Sequence, residues 1–302
     1  MAFLGIDTSN YTTSLALCEN GVVIQDCRRL LAVKKNEVGL RQSDALFQHW
    51  NNLPVLLKET LSGFNGHIEG IVVSVKPRPV EGSYMPCFTA GHNTAKMLSD
   101  LLNVPMFELT HQEGHILSAA YGNNIDFSKA VICAHLSGGT LELVRVFCGK
   151  IEIVGRTKDI SYGKLLDRSG VLMGFDFPCG KYIDENALGF TVPQGYKNPL
   201  PKISLNDAGL NISGIESAVK RLAEKMPSGE LSYCIMERIS QSLSALIDSI
   251  RTDEEVLICG GVAASEFIRS SCAGSNYKFA NKELCSDNAV GLALSKGERP
   301  WL

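Results

Sequence analysis

Two histidines stand four residues apart in the stretch Thr-His-Gln-Glu-Gly-His, which follows an apolar run. If this stretch opens a helix, His111 and His115 lie on one helical face, where two imidazoles can chelate one cation. The intervening glutamate is two positions after His111, so the spacing differs from the His-Glu-x-x-His motif of zinc metalloproteases. The pattern predicts either a metal site that needs a third ligand or two ordinary surface histidines.

The third ligand must come from elsewhere in the chain. Asp287, in the stretch Cys-Ser-Asp-Asn-Ala, is the best candidate because it precedes an apolar segment near the end of the sequence. An aspartate in this position is also a typical helix N-cap. Both interpretations remain open from the sequence.

Three turns of small residues follow apolar strands, at residues 7–13 (Asp-Thr-Ser-Asn-Tyr-Thr-Thr), 137–140 (Ser-Gly-Gly-Thr) and 259–265 (Cys-Gly-Gly-Val-Ala-Ala-Ser). Backbone N–H groups can converge on an anion where no bulky Cβ intervenes, and a helix opening after Gly261 would add its dipole. Together the turns predict a phosphate or nucleotide cleft between two repeats, with Gly260, Gly261 and Ser265 in one wall. Each turn alone is equally explained by chain reversal.

An internal repeat organises these turns. Residues 3–24 read as strand, polar turn, strand, tight turn at Asn20-Gly21, and strand, and residues 131–153 repeat this order with a second tight turn at Gly149-Lys150. A helical and a strand-like segment follow each copy, including apolar residues at helical spacing from Ile235 to Ile250 and a strand at 255–259.

The alternation predicts an α/β fold of two duplicated domains with mixed sheets. We expect these domains at residues 1–108 and 109–302, with a closing helix at about 288–302 packed back on the first. Residues 191–214, rich in Pro, Gly and Asn, are predicted to form a long surface excursion.

Composition indicates a soluble globular protein. The 302 residues are 45% hydrophobic and 20% charged, with a formal net charge of −3, which gives no general attraction to nucleic acid. A basic cluster at Arg28, Arg29, Lys34 and Lys35 is the one candidate for a phosphate backbone. Ten scattered cysteines without a Cys-x-x-Cys pair are interpreted as reduced core residues. Neither a leader peptide nor a membrane span is predicted, so we expect a cytoplasmic protein.

The chain resembles the bacterial tRNA N(6)-adenosine threonylcarbamoyltransferase (TsaD) family, known in older usage as the glycoprotease family. The motifs that carry the resemblance are spread over most of the sequence and read Gly-Ile-Asp-Thr-Ser near the start, His-Gln-Glu-Gly-His, Leu-Ser-Gly-Gly-Thr, Leu-Leu-Asp-Arg, Cys-Gly-Lys-Tyr-Ile-Asp, Gly-Gly-Val-Ala-Ala-Ser and Cys-Ser-Asp-Asn-Ala. The resemblance implies the two-domain actin-like ATPase (ASKHA) fold with an interdomain cleft. It also implies that His111, His115 and Asp287 bind one transition metal ion, iron or zinc.

The resemblance further implies a substrate site and a reaction. Its nucleotide contacts correspond here to His135, Leu136, Ser137, Gly138, Gly139, Asp167, Gly180 and Asp184. The implied reaction transfers a threonylcarbamoyl group from threonylcarbamoyl-AMP to the exocyclic amine of adenosine 37 in tRNA. A TsaB-like subunit of the same fold and a TsaE-like ATPase are the implied protein partners.

The chain departs from the family pattern around the implied donor site. Asn10-Tyr11-Thr12-Thr13 replaces Cys-Asp-Glu-Thr, Ser137 to Thr140 lacks the histidine of Ser-Gly-Gly-His-Thr, residues 163–168 replace Gly-Glu-Ala-Phe-Asp-Lys, and Ser265 replaces an asparagine. Three alternatives therefore stay open: a non-catalytic partner of the same fold, a paralogue that transfers another carbamoyl group, and an actin-fold ATPase or sugar kinase. The last needs acidic residues for magnesium, which residues 10–13 do not supply.

Overall fold

Strands and helices alternate along the chain in a computed structural model that describes residues 1–33 and 40–302. The strands in these ranges are β1 (Ala2–Ser9), β2 (Thr12–Glu19), β3 (Val22–Leu30), β4 (Ile68–Ser74), β5 (Met106–Leu109), β6 (Val131–Leu136), β7 (Leu141–Phe147), β8 (Lys150–Thr157), β9 (Ser204–Asn206), β10 (Gly209–Asn211), β11 (Glu255–Cys259) and β12 (Tyr277–Phe279). The α-helices are α1 (Gln42–Thr60), α2 (Phe88–Leu102), α3 (His111–Ala120), α4 (Tyr162–Leu172), α5 (Gly180–Leu188), α6 (Ser213–Leu222), α7 (Ser228–Asp248), α8 (Glu266–Ser271), α9 (Lys282–Cys285) and α10 (Val290–Ser295).

By its internal contacts the chain divides into two units. Unit 1 comprises Met1–Asn124 and Glu283–Leu302, and unit 2 comprises Ile125–Lys282. The domain boundary predicted after residue 108 stays a prediction, while the contacts group α3 with unit 1. Helix α10, in the closing segment, packs against β1 and α3 of that unit.

The sheet of unit 1 has the strand order β3-β2-β1-β4-β5. Strands β1, β2 and β3 are antiparallel neighbours, whereas β4 and β5 run parallel to β1. All eight residues of β1 are buried, as expected for a strand that is covered on both sheet faces.

Alternate residues of β2 show which helices cover the two faces. Leu15 and Leu17 pack in a cluster with residues of α1 and α2, whereas Ala16 and Cys18 pack in a cluster with residues of α10. Because successive side chains of a strand point to opposite faces, α10 lies on the face opposite α1 and α2. The closing segment of the chain thereby forms part of the unit 1 core.

Unit 2 repeats the three-strand arrangement of unit 1. Its sheet has the order β12-β11-β6-β7-β8-β10-β9, with β6, β7 and β8 antiparallel and β11 parallel to β6. Strand β6 thus corresponds to β1, and β11 corresponds to β4. The predicted repeat is confirmed.

The two predicted hairpin turns are present, one of them shifted. Asn20 and Gly21 both have positive φ, as do Cys148 and Gly149, which is the backbone that two-residue hairpin turns of type I′ require. The second turn was predicted at Gly149-Lys150, and this was wrong by one residue because Lys150 already begins β8.

Other predicted elements also compare closely with the structure. The helix predicted from the apolar residues between Ile235 and Ile250 appears as α7, and the strand predicted at 255–259 appears as β11. The excursion at 191–214 was predicted without regular structure, but its end forms the β9–β10 hairpin, which pairs with the sheet through β8 and buries Leu210. Cys18, Cys133 and Cys259 are buried in strands, as predicted. Within the described ranges, no helix is both long enough and apolar enough to cross a bilayer.

Gly291 sets how closely α10 approaches α3, and replacing it tests this packing. A Cβ atom at Gly291 would collide with the carbonyl oxygen of Gly114 and with Ser118. We expect Gly291→Ala to lower the free energy of unfolding by about 1–3 kcal/mol, the usual effect of overpacking a core, as measured by urea denaturation. Gly214→Ala is the matched control, since Gly214 is also the second residue of a helix and a methyl group there meets no atom within 4 Å. Equal stability of both variants would contradict the packing argument.

Candidate functional site

The helix that carries both predicted histidines begins directly after strand β5. Thr110 is the N-cap of α3: its hydroxyl accepts a hydrogen bond from the Glu113 N–H, and the Glu113 carboxylate accepts one from the Thr110 N–H. This capping box starts the helix at His111. The His111 N–H also donates to the carbonyl oxygen of Lys76 at 3.0 Å. Both histidines therefore sit in the first turns of a well-anchored helix, on one face.

Three potential ligand atoms of unit 1 converge at this helix. His111 Nε2 and His115 Nε2 are 3.1 Å apart, and Asp287 Oδ1 lies 3.6 Å from the first and 3.4 Å from the second. Tetrahedral ligands about 2.05 Å from a metal ion lie about 3.3 Å from one another. The observed separations match that geometry without movement of the backbone. The structure thus brings together the three residues predicted as metal ligands.

Asp287 reaches the histidines because α10 packs closely on α3. Ser118 of α3 donates a hydrogen bond to Asn288 Oδ1 at 2.7 Å, and the Gly291 N–H donates to the Ser118 hydroxyl at 3.0 Å. The interpretation of Asp287 as a helix cap was wrong: the N-cap of α10 is Ala289, and the Val290 N–H donates to Asn288 Oδ1. The Asp287 carboxylate is left to face the histidines.

The charges around the histidines are unequal. Burial lowers the pKa of His111, but the adjacent Asp7 carboxylate, through its charge and a hydrogen bond, outweighs this and raises the pKa to about 9. Burial and the nearby His111 hold the pKa of His115 below its ordinary value. His111 is therefore protonated at neutral pH and His115 is neutral. A cation at this position would replace the proton between the two Nε2 atoms.

The loop at 137–140 in unit 2 is a tight turn with open glycines. The Ser137 N–H donates to the Thr140 carbonyl oxygen at 2.8 Å, and the Thr140 N–H donates to the Ser137 hydroxyl at 3.0 Å. Apart from the neighbouring residues of the loop, no atom of residues 1–33 and 40–302 lies within 4 Å of a Cβ placed on Gly138 or Gly139. The space beside these two residues is therefore accessible to a ligand.

The start of helix α4 packs against this loop. The Ser161 hydroxyl donates to the Gly138 carbonyl oxygen at 2.6 Å, and a Cβ on Gly163 would lie 2.5 Å from Gly138 Cα and 2.7 Å from the Ser137 carbonyl oxygen. Only glycine at position 163 permits this contact. The helix thus fixes the turn by both packing and a hydrogen bond.

The second glycine loop of unit 2 lies beside the first. Strands β6 and β11 are parallel neighbours, with Cys259 paired to His135 at their ends, so the loops that follow them meet at one edge of the sheet. Gly260 has a φ of +90°, and a Cβ there would collide with the Leu136 carbonyl oxygen. A helix does open at Gly261, as expected, but it is the short 3₁₀ helix Gly261–Ala264, and α8 follows it from Glu266. His135 and Leu136 themselves are buried.

The remaining predicted nucleotide residues of unit 2 have defined local roles. Asp167 Oδ1 accepts a hydrogen bond from the Cys179 N–H at 2.9 Å, and burial raises its pKa. Gly180 follows at the start of α5, with open space beside it. Asp184 accepts hydrogen bonds from the Ser265 hydroxyl at 2.5 Å and from the N–H groups of Glu266 and Phe267. Asp184 and Ser265 therefore cap α8 together.

Sequence reasoning missed two polar groups in unit 1. His49 is buried in α1, with its Nδ1 at 2.9 Å from the Thr13 hydroxyl, which also accepts from Asn52 at 3.1 Å. Asp7 lies beside His111, with 3.1 Å between Asp7 Oδ1 and His111 Nδ1. The Gly-Ile-Asp-Thr-Ser motif was a signal for Asp7, whereas a lone histidine in a helix gave none for His49.

The basic cluster predicted for nucleic acid is locally neutralised where the structure describes it. Arg28 is bonded to the Asp26 carboxylate and donates to the Ser286 hydroxyl at 2.8 Å. Arg29 lies 3.4 Å from the Glu59 carboxylate. Lys34 and Lys35 lie outside the described residues. The two arginines are thus paired with acidic groups of their own unit.

Comparison with known proteins identifies relatives of the whole chain. The sequence profile of the TsaD family, tRNA N6-adenosine threonylcarbamoyltransferase, matches residues 33–294. The tRNA N6-adenosine threonylcarbamoyltransferase of Microcystis aeruginosa is 30% identical, covering 96% of this chain and 89% of that protein. The protein of the same name from Crocosphaera subtropica is 28% identical, covering 97% and 90%.

Solved structures show the fold. Component A of the Acidaminococcus fermentans (R)-2-hydroxyglutaryl-CoA dehydratase superposes with a TM-score of 0.60, at 14% identity and with 99% of each chain covered. The prediction of an actin-like ATPase fold is confirmed.

The buried His49 predicts a pH dependence of stability. Burial lowers its pKa from 6.5 to about 4, so the unfolded chain binds more protons than the folded chain between these pH values. Stability therefore falls as the pH drops through this window. We expect His49→Gln to remove up to about 3 kcal/mol of the stability change between pH 7 and pH 4, as measured by urea denaturation at each pH. His92→Gln, at a half-exposed histidine, is the control. Parallel curves for wild type and His49→Gln would contradict the prediction.

Proposed function

Because the chain belongs to the tRNA N6-adenosine threonylcarbamoyltransferase family, we propose that it transfers a threonylcarbamoyl group to adenosine 37 of tRNA and that His111, His115 and Asp287 hold the metal ion of this reaction. The observation that carries the proposal is the convergence of the three ligand atoms within 3.1 to 3.6 Å of one another. The enzyme is of the acyltransferase class.

The donor atoms fit one divalent transition metal ion. Two imidazole nitrogens and one carboxylate oxygen suit iron or zinc, and three protein ligands leave a coordination position open. Such an ion, when bound, acts as a Lewis acid that polarises a carbonyl or phosphoryl oxygen. The side chains of His111 and Asp287 are only 14% and 22% exposed, so the ligand set is largely shielded from bulk water.

The glycine loops of unit 2 support binding of an acyl-adenylate donor. Open space lies beside Gly138, Gly139 and Gly261, so the phosphate of threonylcarbamoyl-AMP could approach the backbone there and accept hydrogen bonds from its N–H groups. Asp167, in α4, accepts a hydrogen bond from the N–H of Cys179 at the start of α5, and burial raises its pKa. In the proposed reaction the adenosine amine forms a bond to the carbamoyl carbon, the bond from that carbon to the phosphate oxygen breaks, AMP leaves, and the amine releases one proton to solvent.

The alternative functions are less well supported. A non-catalytic partner of the same fold has no need of an intact ligand set, and the relatives that match nearly the whole chain are named as transferases. An ATPase would need an acidic residue free for magnesium near the first turn. Asp7 is the acidic residue of β1, and its carboxylate is bonded to Ser74 and His111.

The proposed reaction also defines the partners. A tRNA acceptor and an adenylate donor follow from the family, and both are expected in the cytoplasm. A TsaB-like subunit of the same fold and a TsaE-like ATPase remain expectations from the family resemblance. Because Arg28 and Arg29 are paired with Asp26 and Glu59, we do not assign the tRNA contact to them.

Removing a metal ligand should abolish both metal binding and tRNA modification. In cells depleted of their own tRNA threonylcarbamoyltransferase, we expect the wild-type protein to restore threonylcarbamoyladenosine, measured by mass spectrometry of tRNA nucleosides. His111→Ala and Asp287→Ala should retain less than about a tenth of the wild-type iron or zinc, since even supporting residues change metal affinity 10–100-fold, and should not restore the nucleoside.

His92→Ala is the matched control, because His92 is a half-exposed histidine of unit 1 that pairs with Glu108. Wild-type protein that is purified without oxygen, contains neither metal and shows no melting shift with either would refute the metal site. Wild-type protein that binds metal but leaves threonylcarbamoyladenosine absent would refute the transferase function.

Displacing the loop at 137–140 should weaken nucleotide binding. A methyl group on Gly163 would press on Gly138 and Ser137, so Gly163→Ala must shift the turn. We expect the affinity for AMP to fall at least about tenfold, which corresponds to the loss of one hydrogen bond to a charged group, as measured by isothermal titration. Gly214→Ala is the control, because it adds the same methyl group at the same position of another unit 2 helix. Unchanged affinity in Gly163→Ala would exclude this loop from the nucleotide site.

A further inference from the structure

Asp7 is a buried carboxylate at the end of the central strand of unit 1. It lies in β1 and is 1% exposed. Its Oδ1 accepts a hydrogen bond from the Ser74 hydroxyl at 2.5 Å and lies 3.1 Å from His111 Nδ1. Its Oδ2 lies 3.4 Å from the Ser9 N–H. Strands β1 and β4 run parallel, so Asp7 and Ser74 meet at the same edge of the sheet as α3 begins.

His111 is the ionisable partner of this carboxylate. Among the residues that the structure describes, neither lysine nor arginine forms an ion pair with Asp7, and the nitrogen that does so belongs to His111. A buried charge is costly unless a donor compensates it. The negative charge of Asp7 therefore depends on the imidazole, and the orientation of the imidazole depends on Asp7.

The contact between Asp7 and His111 determines which nitrogen of His111 can bind a metal ion. An ionised carboxylate only accepts hydrogen bonds, so His111 Nδ1 must carry the proton in the 3.1 Å contact. In the neutral imidazole the lone pair is then on Nε2. Nε2 is the atom that lies 3.1 Å from His115 Nε2 and 3.6 Å from Asp287 Oδ1.

We propose that Asp7 is a positioning residue of the metal site, which holds the His111 ring through Nδ1–H so that Nε2 points at the position shared with His115 and Asp287. This inference rests on the proposed function, since it requires that the three residues bind a metal ion. Ser74 takes part by orienting the carboxylate from the neighbouring strand.

The charge of Asp7 also bears on which ion the site accepts. Asp7 and Asp287 together supply two negative charges, while the two histidines bind as neutral rings. A divalent cation makes this set neutral, which matters in a place where Asp7 and His115 are almost fully buried. Removing the Asp7 charge leaves the ion with one uncompensated positive charge and a histidine ring that has lost its fixed orientation.

Asp7→Asn tests the proposal because it preserves shape and removes the charge. We expect the dissociation constant for zinc, measured by competition with a chromophoric chelator, to rise 10–100-fold, as is usual when the carboxylate partner of a metal-bound histidine is lost. Nitrogen-15 NMR of histidine-labelled, zinc-loaded protein should show the hydrogen-bonded Nδ1 proton of His111 in wild type and its shift or loss in Asp7→Asn. A purely structural role would leave this resonance unchanged.

Asp26→Asn is the matched control, since it changes another carboxylate of the unit 1 sheet, one that is bonded to Arg28. It should bind zinc as wild type does. If Asp7→Asn fails to fold, Ser74→Ala serves as the second variant. By removing the 2.5 Å hydrogen bond that orients the carboxylate, it should weaken zinc binding severalfold and shift the same resonance.

The outcomes distinguish this inference from the proposed function. If wild type binds zinc, and folded Asp7→Asn or Ser74→Ala binds it equally with an unchanged His111 resonance, the positioning role is refuted while the metal site stands. If wild type itself binds no zinc, the metal site fails and the positioning role fails with it.

Discussion

The close approach of α10 to α3 and β1 is the constraint on which the candidate metal site depends. A side chain at Gly5 or Gly291 would collide with backbone atoms of the adjoining element, and a Cβ at Gly114 would lie 3.3 Å from the Leu292 side chain. Three glycines therefore let the end of the chain enter the core of unit 1. Once α10 is placed, Asn288 Oδ1 accepts hydrogen bonds from the Ser118 hydroxyl and from the Val290 N–H. The carboxylate immediately before it, on Asp287, then faces the histidines.

Unit 1 and unit 2 present polar groups in different ways. In unit 1 the converging atoms belong to side chains, which are anchored by a capping box and by hydrogen bonds between α3 and α10. In unit 2 they belong to the backbone, where Gly163 and Gly260 permit contacts that no other residue allows. Side-chain ligands suit a cation, whereas backbone N–H groups suit an anion. The proposed cation site of unit 1 and the proposed anion site of unit 2 therefore differ in their chemistry.

Residues 10–13, which depart from the family pattern, form hydrogen bonds with side chains of α1. Thr13 corresponds to the threonine of the family's Cys-Asp-Glu-Thr motif. Its hydroxyl forms hydrogen bonds with His49 and Asn52. Asn10 accepts a hydrogen bond from Gln42 at 2.6 Å. Neutral side chains from α1 therefore satisfy this turn, which contains no carboxylate after Asp7.

Local patterns in the sequence determined the repeat, the hairpin turns, the long helix α7 and the pairing of the two histidines on one face. Each depends on residues close in the chain, through strand periodicity, positive φ at Asn20 and Gly21, or helical spacing. The place of Asp287 before the closing apolar segment made it the candidate third ligand, and the family resemblance implied the same residue, although its separation from His115 along the chain is too large for any local rule.

Only the tertiary structure decided the contacts between distant residues. It placed Asp7 against His111, which is 104 positions away, and Asn288 against Ser118, 170 positions away. It also placed the Asn288 side chain against the Val290 N–H and buried His49 beside Thr13. Periodicity reports which face of an element is buried, but a hydrogen bond between two elements depends on how closely they pack. That distance is set by the whole core, so it cannot be read from either segment alone.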